Sequence, residues 1–200
     1  LFLLDIKNSK TVLDMCAAPG GKTIQLICNK AEVVSYDKNK NKVSIMKENL
    51  RRLNFNNGVI NKDSLKINSK NKFDIVIIDA PCSSIGTIRR NPEIFYRHSA
   101  PNFQYITSIQ YKFLNKAKNL VKNKGIIIYM VCSFLNNEGK NQIERFLNEN
   151  KNFSLVKFFS KNPDINELIN EKGFFKTYPI NFRKKFLIDG FFAAQLQKNA

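Results

Sequence analysis

Short runs of apolar, often β-branched residues alternate along the chain with longer stretches in which apolar residues recur every three or four positions. The short runs predict buried strands, and the longer stretches predict amphipathic helices. In residues 40–53, for example, Val43, Met46 and Leu50 fall on one helical face. The predicted strands cover residues 11–15, 32–36, 57–61, 73–78, 125–131, 153–159 and 186–196, and the predicted helices cover residues 22–29, 40–53, 102–121 and 136–150.

This alternation predicts the fold class. Strands and helices that follow one another over short connections favour a mostly parallel, twisted sheet with helices on both faces. We therefore expect one α/β domain of Rossmann-like type over residues 1–200, with residues 160–185 as a long loop or small insertion. In such sheets, ligands bind beyond the carboxyl ends of the strands. Small, acidic and thiol residues fall at those ends: residues 16–22, Asp37, Asp63, residues 79–84 and residues 132–133.

The charge balance points to a polyanionic partner. The chain carries 33 basic and 16 acidic residues, a net charge of +17, which is typical of proteins that bind nucleic acid. Compositional drift toward Lys, Asn and Ile is the alternative explanation. With 43% hydrophobic residues the chain is not a disordered one. It has no apolar run long enough to cross a membrane, so we expect no membrane association.

The spacing of the cysteines does not indicate a metal-binding pair. The four are Cys16, Cys28, Cys82 and Cys132; no two have Cys-x-x-Cys spacing, and His98 is the only histidine. A zinc site is therefore improbable, and we expect no metal. A lysine-rich chain without a secretion signal also argues against a disulfide framework. We expect reduced cysteines in a cytoplasmic protein, which leaves thiol chemistry open.

A glycine-containing loop joins the first strand to the first helix and reads Cys-Ala-Ala-Pro-Gly-Gly-Lys-Thr over residues 16–23. Small residues there let the backbone approach a ligand, next to the free N–H groups of a helix start. A Walker A loop would need glycine in place of Cys16, and a dinucleotide loop would need more than the pair Gly20-Gly21. The remaining ligand is S-adenosylmethionine. Its candidate loop contacts are Cys16, Ala17, Ala18, Pro19, Gly20, Gly21 and Lys22.

Two carboxylates follow the next strands. Asp37 ends the second strand, where it can accept hydrogen bonds from ribose hydroxyls, and Asp63 ends the third, where it can accept one from an adenine amino group. Either could instead be an ordinary turn residue. Their occurrence after successive strands favours the ligand interpretation.

Two thiols also lie at predicted strand ends. Asp79 and Cys82 come just past a central strand, and Cys132 ends the neighbouring one. A free cysteine is most often a small buried hydrophobe, and Cys16 and Cys28 fit that description. Two thiols at adjacent strand ends, one near an acid, fit a reactive pocket better. The residues alone do not rank the two.

Four motifs in one order give a resemblance. They are residues 12–23, residues 79–84 (Asp-Ala-Pro-Cys-Ser-Ser), residues 131–133 (Val-Cys-Ser) and residues 189–192 (Asp-Gly-Phe-Phe). Together they resemble the Sun family of RNA cytosine-5 methyltransferases. Residues 84–93 look like its bacterial RsmB-like branch, which acts on small-subunit ribosomal RNA. The resemblance spans about residues 11–198.

The resemblance implies an activity and a set of roles. S-adenosylmethionine would be held by residues 16–22 with Asp37, Asp63 and Asp79. Cys132 would attack carbon 6 of a cytosine that has left its stack, which makes carbon 5 able to take the methyl group. Cys82 would assist product release. Asp79 is the candidate acid at ring nitrogen 3, and the arginines Arg89 and Arg90 would lie near the RNA.

The chain also departs from the family. Val131 stands where a threonine usually precedes the nucleophile, and the family's N-terminal RNA-binding region is absent. We therefore expect a monomeric fragment with the catalytic core. A transfer RNA substrate and a catalytically silent RNA-binding fragment remain alternatives. A DNA cytosine methyltransferase is weaker, since that group places its nucleophile in a Pro-Cys-Gln context and here Ser83 follows Cys82.

Overall fold

Ten strands and five helices alternate along the part of the chain that the computed structural model describes, residues 10–182 and 186–200. The strands are β1 (Thr11–Asp14), β2 (Glu32–Tyr36), β3 (Val59–Ile60), β4 (Phe73–Asp79), β5 (Val121–Val131), β6 (Phe153–Val156), β7 (Phe175–Thr177), β8 (Asn181–Phe182), β9 (Phe186–Leu187) and β10 (Phe191–Lys198). The helices are α1 (Gly21–Cys28), α2 (Lys40–Arg52), α3 (Phe103–Ala117), α4 (Lys140–Glu149) and α5 (Pro163–Asn166). Short 3₁₀ helices lie at Ser64–Lys66, Ile85–Thr87 and Pro92–Tyr96.

Eight strands form one sheet in the order β3-β2-β1-β4-β5-β10-β6, with β7 paired to β10. The five neighbouring strands β3-β2-β1-β4-β5 are parallel to one another. Strand β10 runs antiparallel to β5, β6 and β7. The prediction of a mostly parallel sheet is therefore confirmed, and β8 and β9 form a separate pair.

Helices cover both faces of this sheet. Successive side chains of a strand point to opposite faces, so one strand contacts helices on each side. Val76 of β4 shares an apolar cluster with Leu114 of α3 and Phe146 of α4. Its neighbour Ile75 shares a different cluster with Leu26 of α1. This confirms the predicted Rossmann-like arrangement.

Asparagine side chains cap the starts of α2, α3 and α5. Asn39 Oδ1 accepts a hydrogen bond from the backbone N–H of Lys42 at the start of α2. Asn102 Oδ1 accepts one from Tyr105 at the start of α3. Each satisfies an N–H group that the first helical turn leaves unpaired.

The boundary between α3 and β5 was predicted wrongly. The apolar spacing extends the helix to Val121, but α3 ends at Ala117, and Val121 begins β5 by pairing with Phe73. A β-branched residue with a ladder partner favours the strand. The register shifts between Phe73 and Ile75, opposite an irregular part of β5 that includes Lys124, whose φ is +59°.

The last third of the chain also differs from the prediction. Residues 186–196 do not form one strand, because Gly190 turns between β9 and β10 and donates its N–H to Gly86 O at 2.7 Å. Residues 160–185 contain α5, β7 and β8 rather than only a loop, although residues 183–185 lie outside the described part. The strand predicted over residues 153–159 ends at Val156, and the helix predicted from residue 136 begins at Lys140.

Candidate active site

A cavity of about 390 Å³ opens where β1, β2, β4 and β5 end. Its volume lies in the range of small-molecule binding sites. Parallel neighbours end at the same edge of the sheet, so segments that are distant in sequence meet there. The predicted site residues that line it are Cys16, Ala18, Asp37, Asp63, Asp79, Cys82 and Cys132.

The other small residues of the predicted loop form the turn beside the cavity and do not line it. Gly20 has a φ of +103°, and a Cβ there would lie 2.8 Å from Met46 Cγ of α2. Glycine is therefore required both by the left-handed backbone and by helix packing. Ala17 is buried beneath the turn, whereas Pro19 and Gly21 are exposed.

The two strand-end carboxylates, Asp37 and Asp63, lie in turns beside the cavity. Asp37 Oδ2 accepts a hydrogen bond from the N–H of Ala18, and its Oδ1 accepts one from Asn39. Asp63 accepts a hydrogen bond from the N–H of Leu65 through Oδ1. Each thus stabilises a turn, and each also faces the cavity. By holding Ala18, Asp37 fixes the glycine loop beside the cavity.

Lys22 connects the glycine loop to the thiol side of the site. Its Nζ lies 2.5 Å from Asp79 Oδ2, and each of the two side chains is about a third exposed. An ammonium group and a carboxylate at this distance form a charge-assisted hydrogen bond. The pair reaches from the start of α1 to the end of β4.

The two predicted thiols meet. Cys82 Sγ lies 3.2 Å from Cys132 Sγ, which is a hydrogen-bond contact between sulfur atoms. Ser84 Oγ lies 3.6 Å from Cys132 Sγ on another side. Both cysteines are partly exposed, so a ligand in the cavity can reach them.

The contact between the sulfurs couples the ionisation of the two thiols. The hydrogen bond from Cys82 lowers the pKa of Cys132, although burial opposes this. The same hydrogen bond, together with burial, raises the pKa of Cys82. The two thiols therefore share one proton, and the assignment of Cys132 as the attacking thiolate stays a prediction.

The other two cysteines, Cys16 and Cys28, differ in their burial. Burial raises the pKa of Cys16 well above its usual range, which makes this thiol a poor nucleophile even though it lines the cavity. Cys28 is exposed at the end of α1, so its interpretation as a small buried apolar residue is wrong.

Sequence reasoning missed two buried carboxylates near the site. Asp14 lies at the end of β1 and accepts a hydrogen bond from Thr23 Oγ1; burial raises its pKa to about 6. Glu138 is fully buried below the two thiols. The acid inside the apolar run at residues 12–15 was a sign of the first, whereas the region around Glu138 had been assigned only to a predicted helix.

Both arginines that were predicted to contact RNA form ion pairs with the same carboxylate, that of Asp189. Arg90 Nε lies 2.5 Å from Asp189 Oδ2, and Arg89 Nη2 lies 3.2 Å from Asp189 Oδ1, an ion pair without hydrogen-bond alignment. Arg90 remains 61% exposed and Arg89 33% exposed, so both keep N–H groups on the surface. They anchor the loop after Ile85–Thr87 to the start of β10, and contact with RNA stays a prediction.

Exposed aromatic rings lie next to these arginines in sequence. Phe95 and Tyr96, on the 3₁₀ helix Pro92–Tyr96, are 68% and 84% exposed. Arg97 follows them and donates from Nη1 to Ser83 O at 3.0 Å, which ties this segment to the loop of Cys82. Aromatic side chains among basic ones are the usual surface for stacking unpaired bases.

Two other kinds of site are absent from the described ranges. No group of three or more His, Cys, Asp or Glu residues there is arranged to hold a metal ion. No helix in the same part of the chain is both long and apolar enough to span a bilayer.

The fold and the cavity define a Rossmann-like methyltransferase domain. The family model for "16S rRNA methyltransferase RsmB/F" matches residues 1–197. The chain belongs to this family, which confirms the resemblance found in the sequence. Among curated proteins it is 35% identical over 159 residues to the probable ribosomal RNA small subunit methyltransferase B of Bacillus subtilis. That match covers 75% of this chain and 35% of the relative, so the chain spans about a third of the relative's length.

Solved structures agree with this assignment. The crystal structure of PH0851 superposes with a TM-score of 0.84 at 32% identity, over 97% of this chain and 44% of that one. The structure of NSun6 from Pyrococcus horikoshii with SFG superposes with a TM-score of 0.81 at 28% identity, over 99% of this chain and 50% of that one.

Proposed function

We propose that this domain transfers a methyl group from S-adenosylmethionine to carbon 5 of a cytosine in small-subunit ribosomal RNA, through a covalent bond between Cys132 and the base. The observation that carries the proposal is the 3.2 Å contact between Cys132 Sγ and Cys82 Sγ at the cavity. Membership of the RsmB/F family supports methyl transfer to ribosomal RNA. The extent of the domain over residues 1–200, its monomeric state and its cytoplasmic location stay predictions.

The residues at the cavity fit the methyl donor. Residues 16–22 and Asp37 would hold it, with Asp37 at the ribose hydroxyls and Asp63 at the adenine amino group. When bound, S-adenosylmethionine supplies an electrophilic methyl group on a positively charged sulfur. Asp79, which pairs with Lys22, lines the cavity together with both thiols, so we expect donor and base to meet beside it.

Covalent catalysis supplies what cytosine lacks, because its carbon 5 is a poor nucleophile. The Cys132 thiolate forms a bond to carbon 6, and the displaced electron pair moves toward ring nitrogen 3. The Lys22–Asp79 pair donates a proton to nitrogen 3 and accepts it again when the Cys132 thiolate is eliminated. Carbon 5 would then bond to the methyl group as the bond from that group to the donor sulfur breaks, and the neutral thioether would leave. Loss of the carbon 5 proton and cleavage of the sulfur–carbon 6 bond restore the ring and return the thiolate.

Cys82 has a distinct role in the last step. Its thiol proton lies against the sulfur of Cys132, where a hydrogen bond stabilises the thiolate as it leaves carbon 6. Removing Cys82 should therefore slow release more than it slows attack when the solution is basic enough to ionise Cys132.

The RNA would approach the face that carries Arg89, Arg90, Phe95 and Tyr96. The net charge of +17 supports attraction to phosphates. The exposed rings offer stacking surfaces to unpaired bases, and the base to be methylated must itself be unstacked.

The test uses small-subunit ribosomal RNA and S-adenosylmethionine with a tritiated methyl group. We expect label in cytosine with the unaltered protein and with Cys28→Ala, the matched control in which an exposed cysteine away from the cavity is removed. Cys132→Ala should abolish labelling. Cys82→Ala, at a pH of about 8.5 where an ordinary thiol ionises, should accumulate a protein–RNA adduct that survives denaturing electrophoresis.

Other results would contradict the proposal in different ways. An adduct that forms in Cys132→Ala and not in Cys82→Ala would reverse the two roles. RNA binding without any label would favour the catalytically silent fragment. Labelling of transfer RNA in preference to ribosomal RNA would keep the chemistry and change the substrate.

A further inference from the structure

Glu138 is a buried carboxylate at a junction of chain segments. Its side chain is fully buried, yet it accepts four hydrogen bonds. Its Oε1 accepts from the N–H of Ser83 at 2.8 Å and from Gln110 Nε2 at 3.1 Å. Its Oε2 accepts from the hydroxyls of Ser83 and Ser133, each at 2.6 Å. An ionised carboxylate is an acceptor with room for about four such donors.

Three of the four donor groups belong to the residues that directly follow the two thiols. Ser83 follows Cys82, and Ser133 follows Cys132. The loops after β4 and β5 are thus tied to one carboxylate, through residues adjacent to the sulfurs. Gln110 of α3 strengthens the first attachment, since its Nε2 also donates to Pro81 O at 3.0 Å.

Glu138 is itself held in place. Its carbonyl accepts a hydrogen bond from the hydroxyl of Tyr129 of β5 at 2.6 Å. Tyr129 is fully buried among the side chains between the sheet and helices α3 and α4. The carboxylate is therefore fixed relative to the sheet and can fix the loops in turn.

We propose that Glu138 is a positioning residue that sets the distance between the Cys82 and Cys132 sulfurs and so keeps Cys132 reactive. The inference builds on the proposed function but concerns thiol reactivity, which can be measured without RNA or S-adenosylmethionine. A sulfur–sulfur hydrogen bond depends steeply on distance. Loops released from their common carboxylate would lose it.

The charge of Glu138 acts in the same direction. The carboxylate lies close enough to raise the pKa of Cys82 further, although this is a smaller effect than the hydrogen bond with Cys132 and burial. A negative charge under the pair keeps the shared proton on Cys82. Glu138→Gln removes the charge while it preserves the shape, and Ser133→Ala removes one attachment while it preserves the charge.

The experiment measures the rate at which iodoacetamide alkylates Cys132, by peptide mass spectrometry, as a function of pH. In the unaltered protein we expect a midpoint well below that of an ordinary thiol, about 8.5. Glu138→Gln should raise the midpoint by about one pH unit or more, which lowers the rate at acidic pH about tenfold. Ser133→Ala should shift it in the same direction. With RNA present, Glu138→Gln should lower kcat and leave the Kd for S-adenosylmethionine unchanged.

Controls separate positioning from loss of folding. Exposed Cys28 is the internal reference, and half-buried Cys16 should stay unreactive as long as the domain is folded. Asp74→Asn is the matched variant, because Asp74 also accepts several hydrogen bonds, from Thr11 and Lys122, but lies at the other end of β4. Its midpoint should equal that of the unaltered protein.

The outcomes decide the proposal. An unchanged Cys132 midpoint in folded Glu138→Gln overturns it and leaves Glu138 a structural residue. If Glu138→Gln alkylates at Cys16 and so does not fold, Ser133→Ala decides: an unchanged midpoint there overturns the proposal. A shifted midpoint in a protein that never methylates RNA would support the positioning role and refute the proposed function.

Discussion

Gly86 is the position where one added methyl group should do the most damage. A Cβ on Gly86 would lie 1.9 Å from Gly190 O and 2.9 Å from Cys132 O. Both neighbours are backbone atoms and cannot rotate away. Gly86 also donates its N–H to Cys132 O at 3.0 Å and accepts from the N–H of Gly190 at 2.7 Å. The substitution Gly86→Ala must therefore separate three backbone segments that meet at the thiol loops.

The cost can be worked out from these contacts. Overpacking a well-filled site costs about 1–3 kcal/mol, and each of the two hydrogen bonds that stretch adds about 1 kcal/mol. We expect Gly86→Ala to lower the free energy of unfolding by about 3–5 kcal/mol. For a domain of this size that lowers Tm by roughly 6–20 °C.

The assay is thermal unfolding by calorimetry, with Gly58→Ala as the matched control. A Cβ on Gly58 would have nothing within 4 Å, so that variant should stay within about 1 kcal/mol of the unaltered protein. If Gly86→Ala melts within about 2 °C of the unaltered protein, the contact between Gly86 and Gly190 is not rigid and the reasoning fails.

Two further predictions concern ligands. Tyr96→Ala should weaken binding of single-stranded ribosomal RNA by about 1–3 kcal/mol, because a stacking surface is lost, and leave S-adenosylmethionine binding unchanged; equal RNA affinity, measured by fluorescence anisotropy, would exclude Tyr96 from the interface. Asp37→Ala should weaken S-adenosylmethionine binding at least about tenfold by calorimetry, because it removes a ribose acceptor and releases Ala18. Glu32→Ala, an exposed carboxylate at the other end of β2, is its control, and equal losses in the two variants would refute a specific role of Asp37.

Local patterns were enough to predict the parallel half of the sheet. The strand predicted over residues 32–36 is observed with the same limits, and α2 ends one residue from its predicted end. The β-branched run of β4 and the apolar face of α2 carry their own periodicity, which tertiary contacts reinforce. Because parallel strands end at one edge, the same reasoning also brought Asp37, Asp79 and the two thiols into one cavity.

Long-range contacts account for what the sequence did not predict. The spacing of apolar residues could not separate α3 from β5, because Val121 fits a helical face as well as it fits a ladder beside Phe73. The Arg90–Asp189 ion pair joins residues 99 positions apart, and no local pattern encodes it. The four donors around Glu138 likewise come from three segments, so the role of this carboxylate becomes visible only in three dimensions.

The place of β10 in the sheet has a consequence for synthesis of the protein. In the described part of the chain, β6 and β7 pair with β10 in the sheet, and β10 also covers the edge of β5. While the nascent chain is emerging from the ribosome, the edge of β5 therefore stays open until residues 191–198 have been added. An open edge invites pairing with other chains. Translation that stalls before Phe191 should thus leave an aggregation-prone intermediate in which the parallel half of the sheet has formed.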